Sequence, residues 1–542
     1  MGSGKKSSNF LVQGSILAAA SIIVRLIGLL YRIPLTNIIG DEGIGYYSNA
    51  FAIYNIALIL SSYSLPLAVS KLVAARAVKK QYRNSYRIFL CAMCFAIVVG
   101  TIASLFIYFG ADFLAAAIYK SPRSAIPLRI LAPTIFVFAV MGVLRGYFQG
   151  KNTMLPTSVS QILEQVINAA VSIVAAYFLM KYHSASQDIA AFGAAGGTLG
   201  TFVGACVALI FLAFIFALYK PIIDKQLRKD TVNIRESYPD VFKALLVTIV
   251  PVILSQTVYQ ISGVLDGSLF GHIMAGKGLD EDTRNAFWGI YSNKYNLLIN
   301  VPVSIASAMG VAIIPSLVAS KAGGTNYEVK NKVHLAVKFN MIIAIPAAVG
   351  MGVLASPILR LLFGDARELP AYLIRFGSVA IVLFALSTIT NAVLQGINKM
   401  KLPVIHSAIS LGIHIVLLYI LLKYFNLSTY GLVIGNVTFS LVVCILNWIS
   451  VGKNLNYKQE VKKTFLIPTA CSAIMGVMAY LTYYGLHRLT GMNSISTLAA
   501  VMVAVVVYCC LLLLFKGVTE EELHEMPMGR TLARIAGRLH LI

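Results

Sequence analysis

The segment Gly45-Tyr46-Tyr47-Ser48-Asn49 returns about 244 residues later as Gly289-Ile290-Tyr291-Ser292-Asn293. Each copy opens a long apolar helix. The two helices also close alike, on Leu72-Val73-Ala74-Ala75-Arg76-Ala77 and on Leu317-Val318-Ala319-Ser320-Lys321-Ala322. A second pair keeps the order: Phe148-Gln149-Gly150 with Pro156, then Leu394-Gln395-Gly396 with Pro403. Both offsets approach half of the 542-residue chain, which therefore reads as a duplicated half. In a membrane protein, two repeated halves imply two lobes with a site between them and a rocking motion. That is a transporter's plan.

Hydrophobic residues make up 58% of the chain and charged residues 12%, with a mean hydropathy of +0.80. Soluble domains carry roughly a quarter charged residues, so water is not the solvent for most of this surface. A spanning helix needs about 20 mostly apolar residues. Windows of that length give fourteen candidates, centred near residues 27, 59, 98, 137, 167, 205, 257, 303, 345, 384, 413, 441, 476 and 505. The first six pair with the next six through the repeat, and two remain. The expected fold is an all-α polytopic membrane protein with about 14 transmembrane helices, as two pseudo-symmetric six-helix lobes plus two C-terminal helices. The expected boundaries are an N-lobe over 1–219, a charged cytoplasmic linker over 220–243, a C-lobe over 244–452, the last helix pair over 453–515 and a tail over 516–542. In that tail Arg530, Arg534 and Arg538 recur every four residues. Such a face either rests on the inner leaflet or ends solvated.

The 44 Lys and Arg outnumber the 21 Asp and Glu, a net charge of +23. Dense basic clusters at Lys71 to Arg87 and Lys220 to Lys243 alternate with acidic turns at Asp41-Glu42 and Asp280-Glu281-Asp282. The alternation fits an even number of spans with both termini cytoplasmic, and it makes anionic membrane lipids a partner. Scattered over many short loops, the charge forms no nucleic-acid surface. No separate cleavable signal peptide is expected, because the apolar run after Lys5-Lys6 is too long and contains Arg25 and Arg32. Cys91-x-x-Cys94 has no further ligand close in sequence and reads as packing, so no metal site is expected. A coupling Na+ or H+ is the only cofactor considered.

The charges inside spans carry the functional reading. Arg25 and Arg32 stand seven residues apart in a first span expected over Ser15 to Ile39, so they share a helix face. An arginine at mid-membrane costs about 2.5–3.5 kcal/mol on insertion scales, which calls for a wet or anion-lined cavity. Snorkelling to the surface is the alternative for Arg32, and equally for Lys294 near the outer end of the repeat-related helix. The asparagines Asn49 and Asn293 of the repeated motif join these cations as substrate-binding candidates. Arginine binds phosphate bidentately and lysine offers a point charge, so the expected cargo is an anion, a diphosphate on an amphipathic carrier. Asp266 and Glu164 are the acids for ion coupling, with pairing to a cation or bracing of a helix interface as the other roles. Asp112 is expected at the surface.

Arg25-Leu26-Ile27-Gly28 followed by Arg32, then Ile39-Gly40 and the Tyr-Ser-Asn helix, resembles the start of the multidrug/oligosaccharidyl-lipid/polysaccharide exporter superfamily. Arg145-Gly146-Tyr147-Phe148-Gln149-Gly150, Pro156 to Gln161 and Glu164-Gln165 resemble its branch of stage V sporulation protein B and the MurJ-like lipid II flippases. The resemblance covers nearly the whole chain. It implies a monomeric two-lobed bundle in the bacterial plasma membrane that flips undecaprenyl-diphosphate-linked saccharide by alternating access. Cavity arginines would hold the diphosphate, the last two helices would form a groove for the lipid tail, and envelope-synthesis machinery would be a partner. Arg25 matches a cavity arginine of that branch, Arg32 another with a one-residue shift, and Lys294 stands where the branch has arginine. The chain departs from the pattern at Ile59 and Asn293, where the branch carries an arginine and an acid. Three rivals remain: a MATE-like exporter of organic cations, a membrane enzyme on the same lipids, and a non-transporting scaffold for envelope assembly. The first would want an acidic cavity. The second would want positioned acids, bases or metal ligands, whereas the histidines, His183, His272 and His414 among them, are spread without ligand spacing. The chain is therefore not expected to be an enzyme.

Overall fold

The computed structural model describes residues 3–230, 236–323, 326–519 and 522. The chain divides into two compact units, Met1–Gly289 and Ile290–Ile542.

The first unit begins with α1 (Ser3–Leu30) and α2 (Arg32–Leu58). The expected first span is interrupted between them. Pro34 has no N–H for the Leu30 carbonyl, yet Tyr31 and Leu35 keep their bonds to Ile27 and Tyr31 at 3.1 Å, so the chain stays helical through the break. A sharper kink lies inside α2 at Gly40 (φ 70, ψ 177), backbone that glycine alone adopts readily. A π-helical turn at Ile59–Tyr63 follows, where Ser61 and Ser62 donate to the carbonyls of Ala57 and Leu58. Next come α3 (Leu65–Val78), α4 (Tyr82–Tyr119), α5 (Ala125–Gly150), α6 (Leu155–Tyr182), α7 (Ile189–Arg228), α8 (Tyr238–Gly276) and α9 (Glu281–Gly289). Along α4, Phe106, Phe109 and Phe113 share one exposed face, a surface suited to lipid and costly in water.

Two close approaches fix this unit. Gly196, Gly200 and Gly204 recur every four residues on α7, and a Cβ on any of them would collide with α6 at Ala176, Ser172 or Glu164. Small residues at this spacing let membrane helices touch backbone to backbone. The second approach explains the repeated motif. A Cβ on Gly45 would strike the Asn285 carbonyl, and one on Gly289 would strike that of Asp41. Shifted by the repeat, Asp41 becomes Asn285 and Gly45 becomes Gly289, so α2 and α9 cross about a local two-fold. Tyr46 donates to Asp282 and Asn49 to Asn285 across this crossing, at 2.9 and 2.8 Å. Arg123 pairs with Asp188 and Asp282 beside it.

The second unit opens with a π-helical turn, Ile290–Tyr295, and continues as α10 (Asn296–Gly323), α11 (Asn326–Val353), α12 (Ala355–Phe363), α13 (Glu368–Gly377), α14 (Val379–Gly396), α15 (Lys401–Lys423), α16 (Ser428–Leu455), α17 (Ile467–Thr490) and α18 (Asn493–Leu514). A polar seam joins α14 to α16, where Asn447 donates to Thr390 and Asn391 and meets His406 of α15 at 2.7 Å. The last helix pair packs on α11 around Met475, Tyr483, Tyr508 and Phe339.

Among the described residues, eleven segments are long and apolar enough to cross a membrane. Eleven of the fourteen expected windows fall on these segments, and the windows near 27, 257 and 303 fall on α1, α8 and α10. Within the charged stretch over 220–243, α7 carries Lys220 to Arg228 as helix, and α8 begins at Tyr238. Polar residues prolong a helix once apolar turns have nucleated it. Arg530, Arg534 and Arg538 lie outside the described residues.

Candidate functional site

A cavity of ≈ 220 Å³ lies in the first unit, lined by Gly28, Tyr31, Arg32, Phe51, Tyr54, Asn55, Leu58, Phe138, Glu164, Gln165, Asn168 and Thr201. Helical spacing brings these residues together: 28, 31 and 32 share one stripe, and 51, 54, 55 and 58 another. The glycine contact of α7 with α6 sets Thr201 against Asn168, whose side-chain oxygen accepts from Ser172 at 3.0 Å and from Thr201 at 3.3 Å.

Arg32 supplies the cation. It is half-buried, and its guanidinium has the hydroxyls of Tyr31 and Tyr47 as partners, which lie 3.0 Å from each other. Among the described residues no carboxylate lies within ion-pair distance of it. Glu164, across the cavity, is already matched: Arg145 donates to it at 2.8 Å and to Ser160 at 3.0 Å. Both members of that pair are nearly buried. With Glu164 and Arg145 cancelling, Arg32 leaves the cavity net positive. Chemically it can hold an anion through a planar, bidentate group.

The other sequence candidates sit elsewhere. Arg25 is exposed on α1, one turn before Gly28 on the same stripe and outside the cavity lining. Asn49 is buried and engaged with Asn285 and Ser124. Asp266 is buried on α8 near Tyr119. Asp112 is exposed and pairs with Arg129. In the second unit Asn293 and Lys294 are buried in the π-helical turn. Lys294 binds Asp365 at 2.6 Å, and Arg367 grips both oxygens of the same carboxylate at 2.9 and 2.6 Å. Burial alone would raise the pKa of Asp365, but hydrogen bonds from Arg367 and Lys294 override it and hold the carboxyl well below its usual range. Within the second unit, Lys294 thus shares the Asp365 carboxylate with Arg367. Two carboxylate pairings escaped sequence reasoning. Glu164 and Arg145 are 19 residues apart on different helices, and Asp365 sits in a short turn. The available signal was physical: a cation in a span needs a counter-ion, and Gly364-Asp365-Ala366-Arg367 offers one.

The family model described as polysaccharide biosynthesis protein matches residues 11–321, more than half of the chain. The chain belongs to that family. A second model, MatE, matches this polysaccharide biosynthesis protein over residues 251–420. Stage V sporulation protein B of Bacillus subtilis (strain 168) is 24% identical to it over 97% of this chain and 99% of the relative. Lipid II flippase MurJ of the same organism is 26% identical, covering 87% and 88%. Among solved structures, lipid II flippase MurJ in an inward closed conformation superposes with a TM-score of 0.66 at 15% identity, over 92% of this chain and 98% of that one. The polysaccharide biosynthesis protein is thus a multi-pass, all-helical membrane protein of the exporter superfamily that its first arginines suggested.

Proposed function

We propose that this family member is a flippase that moves an undecaprenyl-diphosphate-linked saccharide, lipid II or a related wall or polysaccharide precursor, from the inner to the outer leaflet by alternating access. One observation carries the reading: Arg32 faces a polar cavity inside a lobe with hydroxyl partners and no carboxylate partner among the described residues. A buried-side cation without a counter-ion is costly in a membrane, and a transient anionic ligand offsets that cost. The named activity of the MurJ relative supports the same substrate class. In this reading Arg32 and Arg25 hold phosphate oxygens. Lys294 acts through the cluster it forms with Asp365 and Arg367. Asn49 and Asn293 shape the path, and Glu164 or Asp266 responds to Na+ or H+. The work is binding and reorientation, with no bond made or broken. The MatE match over 251–420 favours a second reading, an ion-coupled multidrug exporter; an organic cation would meet Arg32 unfavourably.

The full chain, reconstituted with a fluorescent lipid diphosphate saccharide, tests this directly. Arg32→Ala lowers transbilayer movement at least tenfold while leaving the protein folded, Arg32→Lys retains part of it, and Arg25→Ala lowers it too. Undiminished movement in Arg32→Ala, or efflux of organic cations instead, overturns the proposal.

A further inference from the structure

The first unit carries a second concavity that the transport reading does not use. An open groove of ≈ 920 Å³ runs between α4 and the start of α8, lined by Leu90, Cys94, Phe95 and Val98 from one wall and by Tyr238 and Phe242 from the other. Its lining is almost wholly apolar. From Leu90 to Val99 along α4 it extends nine residues, about 14 Å at 1.5 Å per residue. That is close to half of the ~30 Å hydrocarbon core, the depth of a single leaflet.

One end is basic. Arg87 lies one turn before Leu90, and its guanidinium sits 5.0 Å over the Tyr238 ring while donating to the Glu236 carbonyl. Lys243 follows Phe242 and is exposed. Among the described residues neither is ion-paired to a carboxylate. The rim is built rather than loose: Arg76 forks onto Glu236 at 3.0 Å, and Asn84 accepts from the Glu236 backbone at 3.1 Å. A tail-shaped apolar slot of one-leaflet depth, with Arg87 at its mouth and the exposed Lys243 next to Phe242 on its α8 wall, matches one kind of molecule. Basic pockets between spanning helices on the cytoplasmic side bind anionic headgroups, and the aromatic Tyr238 sits where interfacial rings sit.

We infer that the groove between α4 and α8 is a binding site for an anionic phospholipid of the leaflet on the basic side, with an acyl chain against Leu90 to Val99 and the headgroup phosphate between Arg87 and Lys243. The site is independent of the flippase reading. A neutral lipid fills the slot but gains nothing from the cations. A second copy of the chain is the competing occupant, and it has no need of charge at the mouth.

The whole protein in phosphatidylcholine vesicles, doped with phosphatidylglycerol bearing a photoactivatable tail, decides between these. Each cation near a headgroup strengthens attraction roughly fivefold. Label on residues 90–99 is therefore expected to exceed that from the matching phosphatidylcholine probe about twenty-five-fold. Lys243→Gln loses about fivefold, and Arg87→Gln with Lys243→Gln reaches the neutral level. Val98→Trp fills the slot and removes label from 90–99 for both probes. Equal labelling by the two lipids, indifference to the charge variants, or cross-links joining two copies through 90–99 overturns the site.

Discussion

Glu164 stands beside a cavity with Arg145 as its partner 2.8 Å away, and Ser160 satisfies a second guanidinium nitrogen. Removing one partner of a buried pair strands the other, at a cost of about 3–5 kcal/mol, whereas replacing both by apolar residues is near neutral. Glu164→Gln is therefore expected to lower the melting temperature in detergent clearly, and Arg145→Met with Glu164→Leu to restore most of the loss. A double variant as unstable as the single one would show that the pair does more than cancel charge. Lys151 gives a pH signature from the loop after α5. Burial against Tyr147 and Tyr82 pushes its pKa down to about 8, against about 10.4 unfolded. Between those values the unfolded chain binds the extra proton, so stability rises with pH there. Thermal melts from pH 8 to 10 should climb in the native protein and flatten in Lys151→Gln. At this scale the sequence told half of the story. Arg25 and Arg32 were legible because seven residues make two turns and charge is rare in a span. Their different exposure was not, since it depends on where α2, α6 and α7 pack. Lys294 was legible as a cation, but Asp365 lies 71 residues away and no periodicity links them.

Among the elements, the apolar runs announced helices faithfully, because 20 apolar residues in lipid have no other way to satisfy their backbone. The three π-helical turns among the described residues, at Ile59–Tyr63, Ile290–Tyr295 and Lys462–Leu466, were not foreseen, because hydropathy carries no signal for them. The duplicated Gly45 and Gly289 were visible as a repeat, while their reason, the crossing of α2 and α9, needed coordinates. Gly289→Ala puts a methyl into the Asp41 carbonyl. Overpacking of this kind costs about 1–3 kcal/mol. Gly263→Ala on α8 meets nothing within 4 Å and is expected to be neutral or slightly stabilising. Equal melting temperatures for the two variants would show that the crossing is not a tight contact in solution. A second strap joins α11 to the chain beyond α18. Lys338 is fully buried, and Glu522 holds it through both oxygens at 2.6 and 2.7 Å. Burial would raise the Glu522 pKa, but the Lys338 hydrogen bond outweighs it and holds the group below its usual range. The strap is thus expected to survive at neutral pH and to weaken as pH falls below about 4.

The whole molecule follows from the duplication plus charge. Three helices, α4, α5 and α6, lie between the Lys79-Lys80 turn and the Ser184 to Asp188 turn, so three crossings put the two turns on opposite sides. Moving Lys and Arg across the bilayer is the step that insertion avoids, so the basic turn is expected in the cytoplasm and the other outside. The orientation decides what the basic groove and the Arg32 cavity can meet, since the diphosphate carrier is loaded on one face only in the proposed cycle. Single cysteines at Lys80 and Ser186, in a variant with the seven native cysteines replaced, read it out in intact cells. A membrane-impermeant maleimide should label Ser186→Cys and spare Lys80→Cys until the membrane is opened. The reverse pattern would place Arg87 and Lys243 on the outer side, remove the inner-leaflet lipid from the groove, and invert the proposed direction of flipping. Labelling of both from outside would mean that one of the three intervening helices does not cross, and the duplicated six-helix plan would then fail with it.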